Sequence, residues 1–243
     1  MSRGITWIEI KLLAREPLTL VVGLAFPVVL MLLLLVSFGS EPDAAFDGVG
    51  GTDFYVPSYL GAAIAVMGFL GVPTHIAAYR HSGVLRRFRA AGVSAGSIMI
   101  SQLAVTAVLA SFGGMVMIAL AYFGFELRAP VAPWAVVTGF ALGLLAFSAI
   151  GVLLGSVLPS ARAAQGTGLL LFFGTFFLVG GGPPPAILPD SLNTAVEFTP
   201  IAQLADAIRS PWVGLGWDTT ALVALAAITV VAAVLAQWRL SRI

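Results

Sequence analysis

Cysteine is absent from the sequence. That excludes a disulfide framework, a thiolate nucleophile and a Cys-ligated metal. Charge is nearly as scarce: Asp, Glu, Lys and Arg make up 9% of the 243 residues, against about 25% in an ordinary soluble domain. Too few charged side chains remain to cover a water-facing surface, and intrinsic disorder, which is charge-rich and apolar-poor, is excluded as well. Lysine occurs once, as Lys11 followed by Leu12. The phosphate-binding motif G-x-x-x-x-G-K-[ST] is therefore missing, and any ATP-driven work must draw on another polypeptide. Paired aspartates and an H-E-x-x-H metal motif do not occur, so no catalytic, cofactor or metal site is expected in this chain.

What is present is apolar. Hydrophobic residues account for 59% of the chain, and the mean hydropathy is +1.03. Barrel strands alternate apolar and polar residues, whereas here the apolar runs are continuous. The expected fold is all-α, a polytopic membrane protein forming one domain over residues 1–243. A bilayer core about 30 Å thick needs about 20 helical residues, and six stretches qualify. They run from Leu18 to Phe38 (with Pro27 as an expected kink), from Val56 to Tyr79, from Ser97 to Phe125, from Pro133 to Leu158, from Ala163 to about Gly181, and from Thr219 to Trp238. The first is longer than the apolar core of a cleavable signal peptide.

Six spans put both termini on one side, and the charges sort accordingly. One side collects ten basic residues (Arg3, Lys11, Arg15, Arg80, Arg86, Arg87, Arg89, Arg162, Arg239, Arg242) and two acids, a net +8. The other holds nine acids, with Arg128 and Arg209, a net −7. Basic residues in short loops stay cytoplasmic, so both ends are expected there. No Asp, Glu, Lys or Arg lies deep in a proposed span. Proton- or sodium-coupled carriers usually need one. His75 is the only ionisable residue well inside a span, near its cytoplasmic end, where packing is the expected role.

Three segments fall outside the spans. Residues 1–17 include Ile5, Ile8, Leu12 and Leu13 on one helical face, the pattern of an interfacial amphipathic helix. Residues 80–96 form a short basic amphipathic loop. Val84, Leu85 and Phe88 share one face, Arg86, Arg87 and Arg89 project elsewhere, and Gly83 and Gly92 punctuate the ends. Residues 182–218 open on Pro183-Pro184-Pro185 and are broken too often to span. Short re-entrant helices dipping into the outer leaflet are expected there. Within the fourth span, Gly139, Gly143, Gly151 and Gly155 make two small-x-x-x-small pairs, which imply close helix packing. In the fifth, Phe172, Phe173, Phe176 and Phe177 cluster with Gln165, as lining for an apolar path, as a dimer contact or as a lipid face.

This order of features resembles the ABC type-2 transporter permeases, most nearly the daunorubicin-resistance type of bacterial exporter permease. The resemblance rests on Gly83 to Ser94 and on the run Pro183-Pro184-Pro185, Leu188-Pro189, Leu192, Pro200 and Ala205-Asp206-Ala207-Ile208-Arg209. It implies two permease chains, identical or not, joined to two copies of a separate ATP-binding-cassette ATPase that carries ATP and Mg. It implies that Gly83, Leu85, Arg86, Arg87, Phe88 and Arg89 form a coupling helix, with Leu85 and Phe88 as an apolar knob in a partner cleft. It further implies a path between the permeases bordered by the second and fifth spans. Pro184, Pro189, Glu197 and Pro200 belong to an outer gate. The cargo would be a small hydrophobic or amphipathic molecule (a drug, an antibiotic or a lipid) moved outward across the bacterial plasma membrane. Expected partners are the ATPase, the second permease, lipid and substrate, but no nucleic acid. The chain departs from the family in carrying Arg80 and His81 where acids are common, and Gly92 where Pro is common. The basic residues alone would also fit topology enforcement or lipid headgroup binding. A non-transporting scaffold or immunity protein and a His75-dependent carrier are the competing classes.

Overall fold

Glycine and alanine decide how the helices meet. The computed structural model describes residues 25–46, 48–177, 181 and 196–242. In chain order these form α1 (Phe26–Phe38), α2 (Gly51–His81), α3 (Val84–Ala90), α4 (Ala95–Gly124), α5 (Pro133–Val157), α6 (Ala161–Phe176), α7 (Pro200–Trp212) and α8 (Thr219–Leu240). Among the described residues there is no strand, only an isolated bridge between Pro42 and Gly50.

Four helices are long and apolar enough to cross a membrane: α2, α4, α5 and α8. They match the second, third, fourth and sixth expected spans, and α2 begins five residues earlier, at Gly51, than the expected Val56. Of the first expected span, α1 covers the described part, and Pro27 stands in its opening turn. Of the fifth, α6 covers 16 residues. The amphipathic helix expected over residues 1–17 lies outside the described residues.

The centre of the bundle is α2. It is enclosed along most of its length by α1, α4, α5, α6 and α7. Lipid tails are as apolar as leucine, so helices in a membrane associate through close packing rather than through burial from water. Side-chain-free surfaces on α2 and its neighbours provide it. A Cβ on Gly151 would come within 2.7 Å of the Gly68 carbonyl oxygen and of Val72. One on Gly155 would lie 2.6 Å from Ile76 and 2.7 Å from the Pro73 carbonyl oxygen. A Cβ on Gly168 of α6 would run into the backbone of Phe69. The two glycine pairs of α5 serve different partners. Gly151 and Gly155 receive the half of α2 that leads to His81, while Gly139 and Gly143 receive Ala207 and Leu204 of α7.

The middle of α2 widens into a π-helical turn at Met67–Gly71. Pro73 cannot donate to the carbonyl four residues back, and its ring crowds that turn; a local widening absorbs both problems. α5 and α6 both cross α2 at this turn. Of the segment expected between the fifth and sixth spans, the described part from residue 196 onward contains α7. This 13-residue amphipathic helix is capped by Thr199 and lays Ile201, Leu204, Ala205 and Ile208 against α2, α5 and α8.

Charges separate by end. Arg80, Arg86, Arg87, Arg89, Arg162, Arg239 and Arg242 gather where α2, α3, α5 and α8 finish. Glu41, Asp53, Glu126, Glu197, Asp206 and Asp218 lie at the opposite end, with Arg128 and Arg209. Between them, Ile100, Phe112, Met115, Val230 and Val234 are more than half exposed, a belt suited to lipid.

Replacing Gly151 by Val should cost about 1–3 kcal/mol through overpacking against α2. The purified protein in detergent should therefore melt at a visibly lower temperature. Gly174→Ala, where nothing lies within 4 Å, should leave the melting temperature essentially unchanged.

Candidate functional site at the arginine-rich end

Backbone geometry sets the short basic helix apart. Gly83 (φ 71°) and Gly92 (φ 76°) both adopt the left-handed conformation that favours glycine. They turn the chain sharply on either side of α3, and the next helix, α4, is capped by the Ser94 hydroxyl accepting from the Ser97 amide at 3.2 Å. Both glycines stand where the sequence placed its punctuation.

The apolar face of α3 points into its own chain. Leu85 is 6% exposed and packs with Val72, Ile76, Ile98 and Leu240. Phe88 joins the same cluster, its ring 6.1 Å from Tyr79. Leu85 thus packs inside its own chain, whereas it was expected to project as a knob, and Phe88 is half-buried beside it. A seven-residue helix between two glycine turns holds its place only by burying something; here it buries Leu85 and half-buries Phe88. What α3 shows outward is Arg86 and Arg87, both exposed. Arg89 is exposed too, but its guanidinium donates to the Ser241 carbonyl beyond the end of α8.

A second tether was not legible as one in the sequence. The Arg80 guanidinium donates to the carbonyls of Ser156, at 2.5 Å, and of Leu158. The His81 ring sits 2.6 Å from the Pro159 carbonyl oxygen. These carbonyls end α5 and form the turn into α6. They carry the negative end of the α5 dipole and lack helical partners, so a cation there satisfies both needs. Arg80 and His81 thus face the α5–α6 turn of the same chain. The arrangement ties α2, α3, α5, α6 and α8 together at one end. His75 is buried beside Tyr79, with ring centroids 6.0 Å apart, in keeping with the packing role expected of it.

The aromatic residues of the fifth expected span divide between two sides of α6. Phe172 and Phe176 stack at 4.9 Å and are almost fully buried, and Tyr59 meets Phe176 at 5.3 Å. The Tyr59 hydroxyl donates to the Gly181 carbonyl at 2.7 Å. Phe172 and Phe176 therefore pack the chain's own core, which corrects their expected place on a path or dimer surface. Phe173 is half-buried against Phe26, with centroids 5.1 Å apart, Phe177 is 39% exposed and Gln165 is half-buried. α2 is enclosed, so it lines no open path among the described residues.

At the opposite end, Glu197 is exposed, and its carbonyl accepts from the Gln203 side chain at 2.6 Å. Pro200 opens α7. Pro184 and Pro189 lie outside the described residues. Asp206 pairs with Arg209, whose guanidinium sits 4.5 Å above the Phe54 ring. Burial pushes the Asp206 carboxyl above its ordinary range, with Arg209 pulling the other way. Among the described residues no group of His, Asp or Glu could hold a metal ion.

The family model for the ABC-2 type transporter matches residues 3–211. No curated protein matches the chain.

Arg80→Gln removes charged hydrogen bonds of the kind each worth about 1.5–3 kcal/mol. Hydrogen–deuterium exchange should then rise about tenfold in both the loop 82–94 and the turn 158–160. A rise in only one segment would show that the two are not tied through Arg80.

Proposed function

Because the chain belongs to the ABC-2 type transporter family, as the transmembrane subunit of an ABC transporter, we propose that it exports a small hydrophobic or amphipathic molecule through contact with a separate ATPase. The observation that carries this reading is the outward basic face of α3. Arg86 and Arg87 are exposed on a helix docked to its own bundle, at an end where no carboxylate occurs among the described residues. A surface with cations and no anions of its own is matched by carboxylates on a partner. The chain has no nucleotide motif, so ATP and Mg sit on that partner.

Closure of two ATPase subunits would push on α3. Since Leu85 and Phe88 fix α3 to the bundle, and Arg80 and His81 fix the end of α2 to the α5–α6 turn, the push would reach the spans as a displacement of the whole end. Six spans with both termini cytoplasmic, in a bacterial plasma membrane, agree with the separated charges. In that orientation the segment around α7, with Glu197 and Pro200, forms the outer gate. A second permease chain would pack along the flank of α6 that carries Phe173 and Phe177, leaving the path between them. The one buried carboxylate in a described span, Asp53, stands in the first turn of α2 beside Arg128, and described spans with no acid near their middle suit apolar cargo and efflux of drugs, antibiotics or lipids better than sugars or ions.

The double variant Arg86→Glu, Arg87→Glu changes only exposed positions. It should lower recovery of the co-expressed ATPase at least tenfold and abolish substrate-stimulated ATP hydrolysis, with an unchanged melting temperature of the permease. Unchanged ATPase recovery would refute the coupling role of α3. Leu85→Asp would not serve, because it disrupts the chain's own packing.

A further inference from the structure

Where α4 begins and α8 ends, the two helices stay apart, and two hollows lie one above the other between them. The upper hollow, about 170 Å³, is lined by Arg89, Ser94, Ile98, Leu240 and Ser241. The lower, about 180 Å³, is lined by Met99, Ile100 and Leu103 of α4, Leu145 and Ser148 of α5, and Thr229 of α8. The helix rise makes the distance from Ser241 to Thr229 about 18 Å. That is the depth of one leaflet with its headgroup boundary, since half the hydrocarbon core is about 15 Å.

We propose that this seam holds one anionic phospholipid of the leaflet on the arginine-bearing side, its phosphate at Arg89 and a segment of one acyl chain in the lower hollow, the rest of the chain continuing into the bilayer. Volume selects the chain. The lower hollow is well below the ~300–1,000 Å³ of sites for drug-sized molecules, and a helix about 10 Å across does not fit either. Its walls are apolar, and the Ile100 side, 63% exposed, opens toward the bilayer. Charge selects the headgroup. The guanidinium of Arg89 is held over the upper hollow by its bond to the Ser241 carbonyl, which uses one of five donors and leaves others for a phosphate. Arg239 and Arg242 stand on the same end of α8, and no acid occurs at this end among the described residues. Basic pockets between spans suit anionic headgroups. The seam therefore gives Arg89 a task separate from the outward pair Arg86 and Arg87.

The test is native mass spectrometry of the full-length chain, released from detergent with phosphatidylglycerol or phosphatidylcholine of identical acyl chains. The wild type should keep one phosphatidylglycerol at least fivefold more than phosphatidylcholine. Arg89→Gln should erase that preference while leaving weak binding of both. Ser148→Leu puts a larger apolar side chain into the lower hollow in place of a buried hydroxyl that has no partner among the described residues, and an unchanged melting temperature checks that the fold is kept. This variant should lose both lipids. Inorganic phosphate at millimolar concentration should not displace the lipid. Equal retention of the two lipids by the wild type, or full retention by Ser148→Leu, would overturn the proposal. So would a wild type that carries no lipid because another part of the chain fills the seam, or displacement by phosphate alone, which would mark a plain anion site.

Discussion

The close approach of α5 and α6 to α2 is the constraint on which the structure depends. In a bilayer, apolar surface alone draws no helices together. Contact must come from backbones that approach within van der Waals distance, and Gly68, Gly151, Gly155 and Gly168 permit it along the half of α2 that leads to His81. From that contact follow the enclosure of α2, the placement of its π-helical turn at the crossing point and the position of its His81 end beside the α5–α6 turn. Arg80 can reach the carbonyls of Ser156 and Leu158 only because Gly155 lets α2 lie so near α5.

The arginine-rich end is then built in two layers. An inner layer binds the chain to itself: Arg80 and His81 on the α5–α6 turn, Leu85 and Phe88 in the apolar cluster, Arg89 on Ser241. An outer layer, Arg86 and Arg87, faces away from it. Each arginine thus differs in what its guanidinium meets, although all lie within ten residues of sequence. Described spans with no carboxylate near their middle, where the buried Asp53 stands only in the first turn of α2, make sense beside this end. A chain that receives mechanical work from a partner has no need of an ion-coupling residue in its membrane interior.

Periodicity and hydropathy made the spans legible, and four of them appear within a few residues of their expected ends. The paired glycines of the fourth span announced close packing, though not that the two pairs serve two partners. Partner choice depends on helix rotation, which spacing within one helix does not encode. The same gap explains Leu85, Phe88, Phe172 and Phe176. Their apolar faces were visible, but whether such a face turns to a neighbouring helix or to a partner depends on tertiary placement. Arg80 and His81 were noticed as departures from a family pattern. The signal that would have explained them is the run of unpartnered carbonyls at Ser156 to Pro159, which becomes their neighbour only after folding.

The central claim is that α3 and the α5–α6 turn move as one body. The absence of cysteine makes the measurement direct. Ala90→Cys and Arg162→Cys, both at exposed positions, can carry spin labels for distance measurement in the complex with its ATPase. The account predicts one narrow distance distribution that is the same without nucleotide and with ATP bound. A distribution that broadens or shifts when ATP binds would mean that α3 moves independently of the bundle, and would contradict it.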